Sequence, residues 1–306
     1  MSKLIHLTSV FGVIVTCSSA ASAGTLYNTP SSAPIGEALR PTIPPVADFA
    51  TPIWSGPYVG VNAGGAWGSS NVASIAAIPT LFPTDPSIIQ VGTGTLNSNV
   101  GGFIGGAQLG YNYQLSNGLV TGVEADFQGV TGKSLGYQGL ALPDTYLPGV
   151  TDFGSLTASK QLDTFGTVRA RVGYTVTQGA LAYATGGLAY GHASFSTGSS
   201  GMAFLPIGVS LANAFSAASY SDMRVGWTAG AGVEWMTFPN WSAKLECLYY
   251  DLGSVTKITP YNNTLTGFNT PGVAQSTARF AGTVARFGMS YHFNNATVAL
   301  PLMTKY

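Results

Sequence analysis

From Pro57 onward, apolar and polar residues alternate with a period of two in eight segments separated by turn residues. This period is typical of β-strands, because successive side chains of a strand point to opposite faces of its sheet. The predicted strands lie near residues 57–67, 100–115, 119–130, 162–176, 180–195, 223–237, 241–253 and 280–293. The sequence therefore predicts an all-β chain.

The connections between these strands alternate strictly between short and long. The short ones are Ser116-Asn117-Gly118, Thr177-Gln178-Gly179 and Phe238-Pro239-Asn240, and the long ones span about 68–99, 131–161, 196–222 and 254–279. Transmembrane β-barrels combine short periplasmic turns with long extracellular loops. We therefore predict an eight-stranded antiparallel up-and-down transmembrane β-barrel with both of its ends in the periplasm.

Side-chain parity divides most predicted strands into an apolar and a polar face. In the second strand, Phe103, Leu109 and Tyr113 share one face, and Gln108 and Asn112 share the other. Aromatic residues collect near both ends of the apolar faces: Trp67, Phe103, Phe127, Trp227 and Tyr249 at the extracellular end, and Tyr113, Tyr174, Trp235, Trp241, Tyr291 and Phe293 at the periplasmic end. Such girdles mark the two membrane interfaces, so the apolar face is expected to contact lipid. The fifth strand carries Ala, Gly, Leu and Tyr on both faces, and its register stays unassigned.

Charged residues inside the predicted strands, away from the extracellular ends, all have luminal parity. They are Glu124, Asp126, Arg169, Arg171, Glu234, Lys244, Glu246 and Arg286. A basic residue on the lipid face near the midplane would cost about 2–4 kcal/mol. The interior of an eight-stranded barrel is just wide enough for side chains to fill, so we expect these residues to plug the lumen as a charge network.

Residue counts from the periplasmic turns suggest which charges meet. Glu124 and Arg171 lie equally far from their turns, which predicts that they face each other with Asp126 beside Arg169 one step higher. A similar count around 238–240 places Glu234 opposite Lys244, with Arg286 and Glu246 joining from the last two strands.

Composition supports a membrane protein. Only 8% of the 306 residues are charged, against about 25% in soluble domains, and there are 40 glycines. No apolar run reaches the roughly 18 residues of a spanning helix, and a membrane core otherwise admits only closed barrels. The net charge is zero without a basic stretch, so no nucleic-acid partner is expected.

The two ends of the chain differ from the barrel. Residues 1–23 have the pattern of a signal peptide, with an apolar stretch before Ala21-Ser22-Ala23, so the mature chain is predicted to begin at Gly24. Residues 24–53 form a Pro-rich periplasmic segment, 54–293 the barrel, and 294–306 a C-terminal tail. After signal removal Cys247 is the one remaining cysteine, interpreted as an apolar strand residue.

Nothing in the pattern predicts catalysis or a bound cofactor. His192 and His292 are the only histidines of the mature chain. Glu124 and Asp126 do not form a glycosidase-type pair, because neighbouring arginines favour the ionised form of both. No metal-ligand spacing appears. We therefore expect no catalytic, metal or cofactor site.

Six motifs along the chain resemble those of the small outer-membrane β-barrels known as the porin family or outer-membrane immunogenic proteins. They are WSGPYVGVNAGGAWG at 54–68, GGAQLGYNYQ at 105–114, VTGVEADF at 120–127, TVRARVGY at 167–174, YATGGLAYG at 183–191 and KLECLYYDLG at 244–253. The resemblance implies a cell outer-membrane surface protein with an OmpA-like transmembrane barrel and no enzymatic activity. It also implies that Arg286, Gly288, Tyr291 and Phe293 form the assembly signal for the barrel insertion machinery.

The long connections are unusually apolar for loops, and their candidate interaction residues are Phe82, Phe204 and Leu205. Exposed apolar surface often marks a binding site, so the chain is expected to display these residues toward a host surface or another copy of itself. Alternatively, these segments continue as strands and pack on one another above the membrane. Two other functions stay open, a small solute pore and a barrel that binds an apolar, haem-like ligand, as some relatives do.

Overall fold

The computed structural model describes residues 53–68, 72–79, 92–97, 101–144, 148–205, 207, 210–265 and 268–293. Its strands are β1 (Gly56–Gly68), β2 (Val72–Pro79), β3 (Gly94–Asn97), β4 (Gly101–Gln114), β5 (Leu119–Val130), β6 (Lys133–Pro143), β7 (Thr151–Thr177), β8 (Ala180–Phe204), β9 (Ser210–Phe238), β10 (Trp241–Leu265) and β11 (Phe268–His292). The described part of the chain contains no helix that is long and apolar enough to cross a membrane. The predicted signal peptide, the C-terminal tail and Phe82 lie outside the described residues.

Eight of these eleven described strands close a ring. The order is β1, β4, β5, β7, β8, β9, β10 and β11, with β11 pairing back to β1, and every pairing is antiparallel. Tight turns join the strands at one end, where Gly118 and Asn240 adopt left-handed backbone angles (φ 84° and 66°). The predicted all-β antiparallel barrel is confirmed.

The outer wall of the ring carries a belt of exposed apolar side chains. Val61, Leu109 and Val225 are 60–66% exposed, although they would be buried in a water-soluble protein of this size. The extracellular girdle, called the outer girdle below, consists of Trp67, Phe103, Phe127, Trp227 and Tyr249. Its members Trp67, Phe103, Phe127 and Trp227 also point outward. On the opposite rim Trp241 and Phe293 lie against Tyr291, with ring centroids 5.3 and 5.1 Å apart. The belt therefore has the apolar surface and the aromatic edges of a lipid-facing wall.

Above the outer girdle the strands continue instead of ending in loops. This upper sheet consists of 72–79, 94–97, 133–143, 151–161, 193–204, 210–221, 254–265 and 268–278, paired in the order β6, β7, β8, β9, β10, β11, β2 and β3. The prediction that 131–161, 196–222 and 254–279 are loops is wrong. The alternative, that the apolar segments 75–89 and 202–215 continue as strands, is confirmed for the described residues 75–79, 202–204 and 210–215.

The interior of the upper sheet is more apolar than that of the lower barrel, although Asp152 and Lys160 are buried there as well. In β7 the interior side chains Leu156, Ala158 and Leu162 are at most 3% exposed, whereas Ser155 and Thr157 face outward. Water surrounds this part, so its apolar side must turn inward, while lipid surrounds the belt and draws the apolar side outward. The change of polarity at the girdle explains why the predicted strands ended there.

The strand 180–195, whose register the sequence left open, has its odd-numbered residues inside. Leu181, Tyr183, Ala189 and Phe195 are buried, and Leu188 is 59% exposed to the outside. Its pairing with β7 and β9 is continuous apart from single irregularities at its ends and beside Leu162. This register places the Tyr183 phenol in the lumen.

Candidate functional site

The lumen of the lower barrel contains all eight charged residues that parity assigned to it. They extend from β5, β7, β9, β10 and β11, and each is at most 4% exposed. Four are acidic and four are basic, so the buried charges balance. Burying an unpaired ion would cost several kcal/mol, which makes the contacts among these residues decisive. The eight residues are called the charge network below.

Arg169 lies at the centre of the charge network. Its Nη2 donates to Glu124 Oε1 at 2.5 Å and to Asp126 Oδ2 at 3.1 Å, and its Nη1 donates to Glu246 Oε1 at 2.9 Å. Arg286 reaches the same acids from the far wall, at 2.8 Å from Asp126 Oδ2 and 2.6 Å from Glu246 Oε2. Two guanidinium groups therefore hold three carboxylates between opposite sides of the barrel.

The other two cations extend the charge network toward the periplasm. Lys244 Nζ donates to both oxygens of Glu124, at 2.7 and 2.8 Å. Arg171 Nη2 donates to Glu234 Oε2 at 2.6 Å, and its Nη1 lies 3.6 Å from Glu124 Oε2. Glu124 therefore lies within 4 Å of every cation in the network, including Arg286 at 3.6 Å.

The predicted register of Glu124 and Asp126 against β7 was wrong by two residues, although Glu124 lies 3.6 Å from Arg171 and Asp126 lies 3.1 Å from Arg169. Glu124 pairs across the ladder with Arg169, and Asp126 with Thr167, whereas Arg171 is opposite Gly122. The error arose because β5 and β7 end at different heights: Leu119 is opposite Tyr174, so β7 extends further toward the periplasm. Such stagger is built into any closed barrel, and counts from separate turns ignore it.

Counting was accurate for β9 and β10, which one short turn joins, because Lys244 is opposite Glu234. Glu246 and Arg286, which were expected only to join the network, are opposite each other in the β10–β11 ladder. Opposite placement does not decide the contact, however, because the long Lys244 side chain crosses to Glu124 instead of pairing with Glu234.

Two tyrosines that the sequence analysis did not single out complete the charge network. Tyr58 donates to Glu124 Oε2 at 2.7 Å and accepts from Arg171 at 3.0 Å. Tyr183 donates to Glu246 Oε1 at 3.0 Å, and the Arg171 guanidinium lies 3.9 Å from its ring centroid. Parity alone would have placed Tyr58 inside, because its neighbour Val59 points outward. Tyr183 could not be placed from the sequence, because the register of its strand was unassigned.

Aromatic side chains close the periplasmic end of the lumen. Trp54 is fully buried, its backbone N–H donates to Gln114 Oε1 at 3.1 Å, and its ring meets that of His292 edge-on at 5.7 Å. His292 Nε2 lies 2.9 Å from Ser242 Oγ and 3.4 Å from Glu234 Oε1. The histidine is thus engaged in packing and hydrogen bonding, and Trp54 covers it.

An apolar layer fills the lumen above the charge network. It comprises Ala66, Ile104, Leu162, Phe165, Ala189, Ala193, Phe195, Leu248, Tyr250, Leu252, Val255, Ala278, Phe280 and Val284. At its upper edge the ammonium of Lys160, above the membrane-facing belt, donates to the Arg279 carbonyl and lies 4.9 Å from the Phe280 ring centroid. Burial lowers the pKa of Lys160 to about 8. The apolar layer and the charge network thus lie one above the other inside the ring.

The remaining candidate residues divide between the rim and the top of the upper sheet. Arg286 and Gly288 point into the lumen, whereas Tyr291 and Phe293 face outward at the periplasmic rim. At the top, Phe204 is half-buried with its ring 5.8 Å from that of Phe153, and Leu205 packs on a buried pair of residues. Phe204 and Leu205 therefore contribute packing as well as surface, and the more exposed apolar residues there are Met202 and Ile207.

A closed antiparallel barrel with a lipid-facing belt, two aromatic girdles and a charged interior defines an integral outer-membrane β-barrel protein. The chain belongs to the outer membrane protein beta-barrel domain family, which it matches over residues 45–293. It is 37% identical, over 257 residues, to the 31 kDa outer-membrane immunogenic proteins of Brucella melitensis biotype 1 and Brucella suis biovar 1, covering 82% of this chain and 88% of each relative. The expected family resemblance and the outer-membrane localisation are confirmed.

The solved structures to which this chain is similar are more distant in sequence. Neisserial surface protein A is 13% identical with a TM-score of 0.29, and the match covers 78% of this chain and 98% of that one. OprG of Pseudomonas aeruginosa is 11% identical with a TM-score of 0.36, covering 78% and 97%.

Proposed function

We propose that this protein is a non-enzymatic surface barrel whose lumen is sealed and whose upper sheet carries an apolar tip for interaction with a partner surface. The filled lumen carries the proposal: eight paired charges, an apolar layer above them and Trp54 below occupy the route that a solute would take. This filling favours a structural and interaction role over the alternative of a small pore.

The environment of the titratable groups supports the non-enzymatic part. Glu124 and Asp126 are each bound by Arg169 and lie against further cations, so neither is available as a proton donor. His292 is stacked on Tyr58 at 5.2 Å and covered by Trp54, away from any open cleft in the described residues. No group of three or more metal-ligating side chains occurs among the described residues.

The interaction part rests on the tip of the upper sheet. Ile207 is 80% exposed and Met202 and Phe153 are each 47% exposed, at the end farthest from the membrane. Strand pairing holds this apolar surface on a rigid support, which reduces the entropy lost on binding. The same surface on two molecules would allow self-association, and a host surface is the other partner class.

The experiment replaces Met202 and Ile207 together by serine and compares the variant with Leu135→Ser, an equally exposed apolar position lower on the upper sheet. Self-association in lipid nanodiscs and adhesion of cells that display the protein are measured. We expect the tip variant to lose at least one of the two, with unchanged membrane insertion, and the control to retain both. If the tip variant keeps both, the tip is not the interaction surface.

The assembly signal is proposed to be Arg286, Gly288, Tyr291 and Phe293, recognised by the barrel insertion machinery. The outward positions of Tyr291 and Phe293 on the last strand support recognition from the lipid side. Arg286 has a second role as a member of the charge network, so Phe293→Ala is the cleaner test. We expect this variant to accumulate unfolded in the periplasm.

A further inference from the structure

The wall of the barrel contains an interruption that no other ladder of the ring shows at comparable length among the described residues. Residues 216–226 of β9 and 252–261 of β10 are not paired with each other, although these strands pair below and above this stretch. Each strand stays paired on its other side, with β8 or with β11, over nearly the same length. The facing edges of β9 and β10 are therefore unpaired over this stretch, which is called the slit below. Side chains still bridge it, since the Ser216 and Thr259 hydroxyls are hydrogen-bonded across its upper end.

The slit opens at the surface of the membrane. It begins directly above Trp227 of the outer girdle, and the outward-facing residues at its lower end are apolar. Val225 and Met223 there are 66% and 53% exposed. The exposed polar residues Ser221, Ser254 and Thr256 line the slit further up. A hydrocarbon chain in the outer leaflet could therefore lie against Val225 and Met223 at the base of the slit.

Two cationic side chains cross the slit. Arg224 of β9 donates to the carbonyls of Leu252 and Ser254, both at 3.3 Å, and the Lys257 ammonium of β10 lies 5.3 Å from the ring centroid of Tyr220. Hydrogen bonds of 3.3 Å to neutral carbonyls are long for a guanidinium. A carboxylate would be a stronger acceptor for both cations, because charge-assisted bonds are shorter and about twice as strong.

Acidic groups do not neutralise these cations fully. Asp222 is the one acidic residue of the two slit segments, and its carboxylate accepts from the backbone N–H of Met223 at 2.8 Å. Asp251, just below the slit, pairs with Arg279. The two slit segments therefore carry one more positive than negative charge, beside the exposed apolar residues Met223 and Val225.

Behind the slit lies the apolar layer of the lumen. Tyr220 stacks on Phe195 with centroids 5.7 Å apart, and Leu252 and Val255 at the base of the slit belong to the same buried layer. A ligand that displaced the Tyr220 ring would thus contact apolar side chains on both its outer and its inner side.

We propose that the slit is a lateral binding site for a single-chain amphiphile with a carboxylate head, of the long-chain fatty acid class, which enters from the outer leaflet. The head group is held by Lys257 and Arg224, and the chain runs from there along Met223 and Val225 toward the membrane. The site is separate from the tip of the upper sheet, so it stands or fails independently of the surface interaction.

The first test measures displacement of a dansyl-labelled fatty acid by palmitate from the protein in phosphatidylcholine nanodiscs. We expect Lys257→Gln and Arg224→Gln each to weaken palmitate binding about tenfold, as for the loss of one charge-assisted hydrogen bond. Methyl palmitate, which lacks the charge, should bind the variants and the parent equally. Lys133→Gln on β6, an exposed cation outside the slit, is the control and should bind palmitate normally.

The second test fixes the width of the slit. The Ser216 and Thr259 hydroxyls lie 2.8 Å apart across its upper end, so Ser216→Cys with Thr259→Cys places two thiols within bonding reach, in a Cys247→Ala background. The oxidised form should bind palmitate more weakly, and reduction should restore binding. The control disulfide joins Ser196→Cys and Ser219→Cys, which are opposite each other in the continuous β8–β9 ladder.

Either of two results overturns the proposal: palmitate binding no stronger than to empty nanodiscs, or binding that neither glutamine variant nor the slit disulfide changes. Retention of heat-modifiable migration on detergent gels verifies that each variant is folded. If a lysophospholipid binds and palmitate does not, the carboxylate assignment is wrong.

Discussion

Below the outer girdle the barrel interior is held together by ions, whereas above it most of the interior side chains are apolar. The lower lumen contains eight paired charges, and the upper sheet is filled by groups such as Ile75, Leu96 and Leu156, which are 2–3% exposed. The same strands run through both regions, so the surrounding solvent decides the difference. Where lipid takes the apolar side chains, polar ones are left for the interior, and buried polar groups must pair.

The two regions should respond differently to the loss of one side chain. In the lower barrel, Arg169→Ala leaves Glu124, Asp126 and Glu246 short of a shared cation, and we expect a loss of about 3–5 kcal/mol in the free energy of unfolding. Urea unfolding in lipid vesicles measures it. Arg279→Ala, which removes an exposed ion pair, is the control and should cost about 0–1 kcal/mol. Similar losses for both variants would contradict the structural role of the charge network.

In the upper sheet, a cavity in the apolar interior should lower the free energy of unfolding about as much as the loss of a charged side chain does in the lower barrel. Leu156→Ala empties an apolar interior position, and we expect a cost of about 2–5 kcal/mol. The loss should be local, because the lower barrel does not depend on this packing. Hydrogen exchange should therefore accelerate in β6 and in the upper part of β7 and stay slow in the belt. The outward residue Leu135 provides the control, since its change to alanine should fall within about 0.5 kcal/mol.

The contacts inside the charge network can be ranked by double-mutant cycles. Arg171 lies 2.6 Å from Glu234 and 3.6 Å from Glu124. We therefore expect a coupling energy of about 1–3 kcal/mol for Arg171 with Glu234, and a smaller one for Arg171 with Glu124. A larger coupling energy for Arg171 with Glu124 than with Glu234 would instead support the register that was predicted from the turns, in which Arg171 is opposite Glu124.

A pH-dependent effect should come from the ammonium of Lys160, which is buried at the boundary of the two regions. Burial lowers the pKa of Lys160 from 10.5 to about 8, so between these values the unfolded chain binds more protons than the folded one. Stability of the upper sheet should consequently rise as the pH increases from about 8 to 10.5, and be unaffected by this group below pH 8. Thermal unfolding of the parent and of Lys160→Met over this range tests it, since the variant should lose the rise.

The sequence predicted the lower barrel well because lipid imposes a strict alternation on it. Positions such as Gln108 and Glu246 could be assigned to the lumen from parity alone, and the short turns ordered the strands. The upper sheet escaped prediction for a physical reason: Ser, Thr and Gly are frequent on both of its faces, and these residues resemble loop composition. The sequence also could not predict which charge a long side chain contacts, since Lys244 extends past its cross-strand neighbour Glu234 and binds Glu124.

The central claim is that this tube is closed by its own side chains, and conductance tests it most directly. Purified protein would be inserted into a planar lipid bilayer, with insertion verified by heat-modifiable migration of the same preparation. We predict a flat current trace at both voltage polarities, because the charge network, the apolar layer and Trp54 occupy the lumen. Stepwise, reproducible single-channel openings of the unmodified protein would contradict the account.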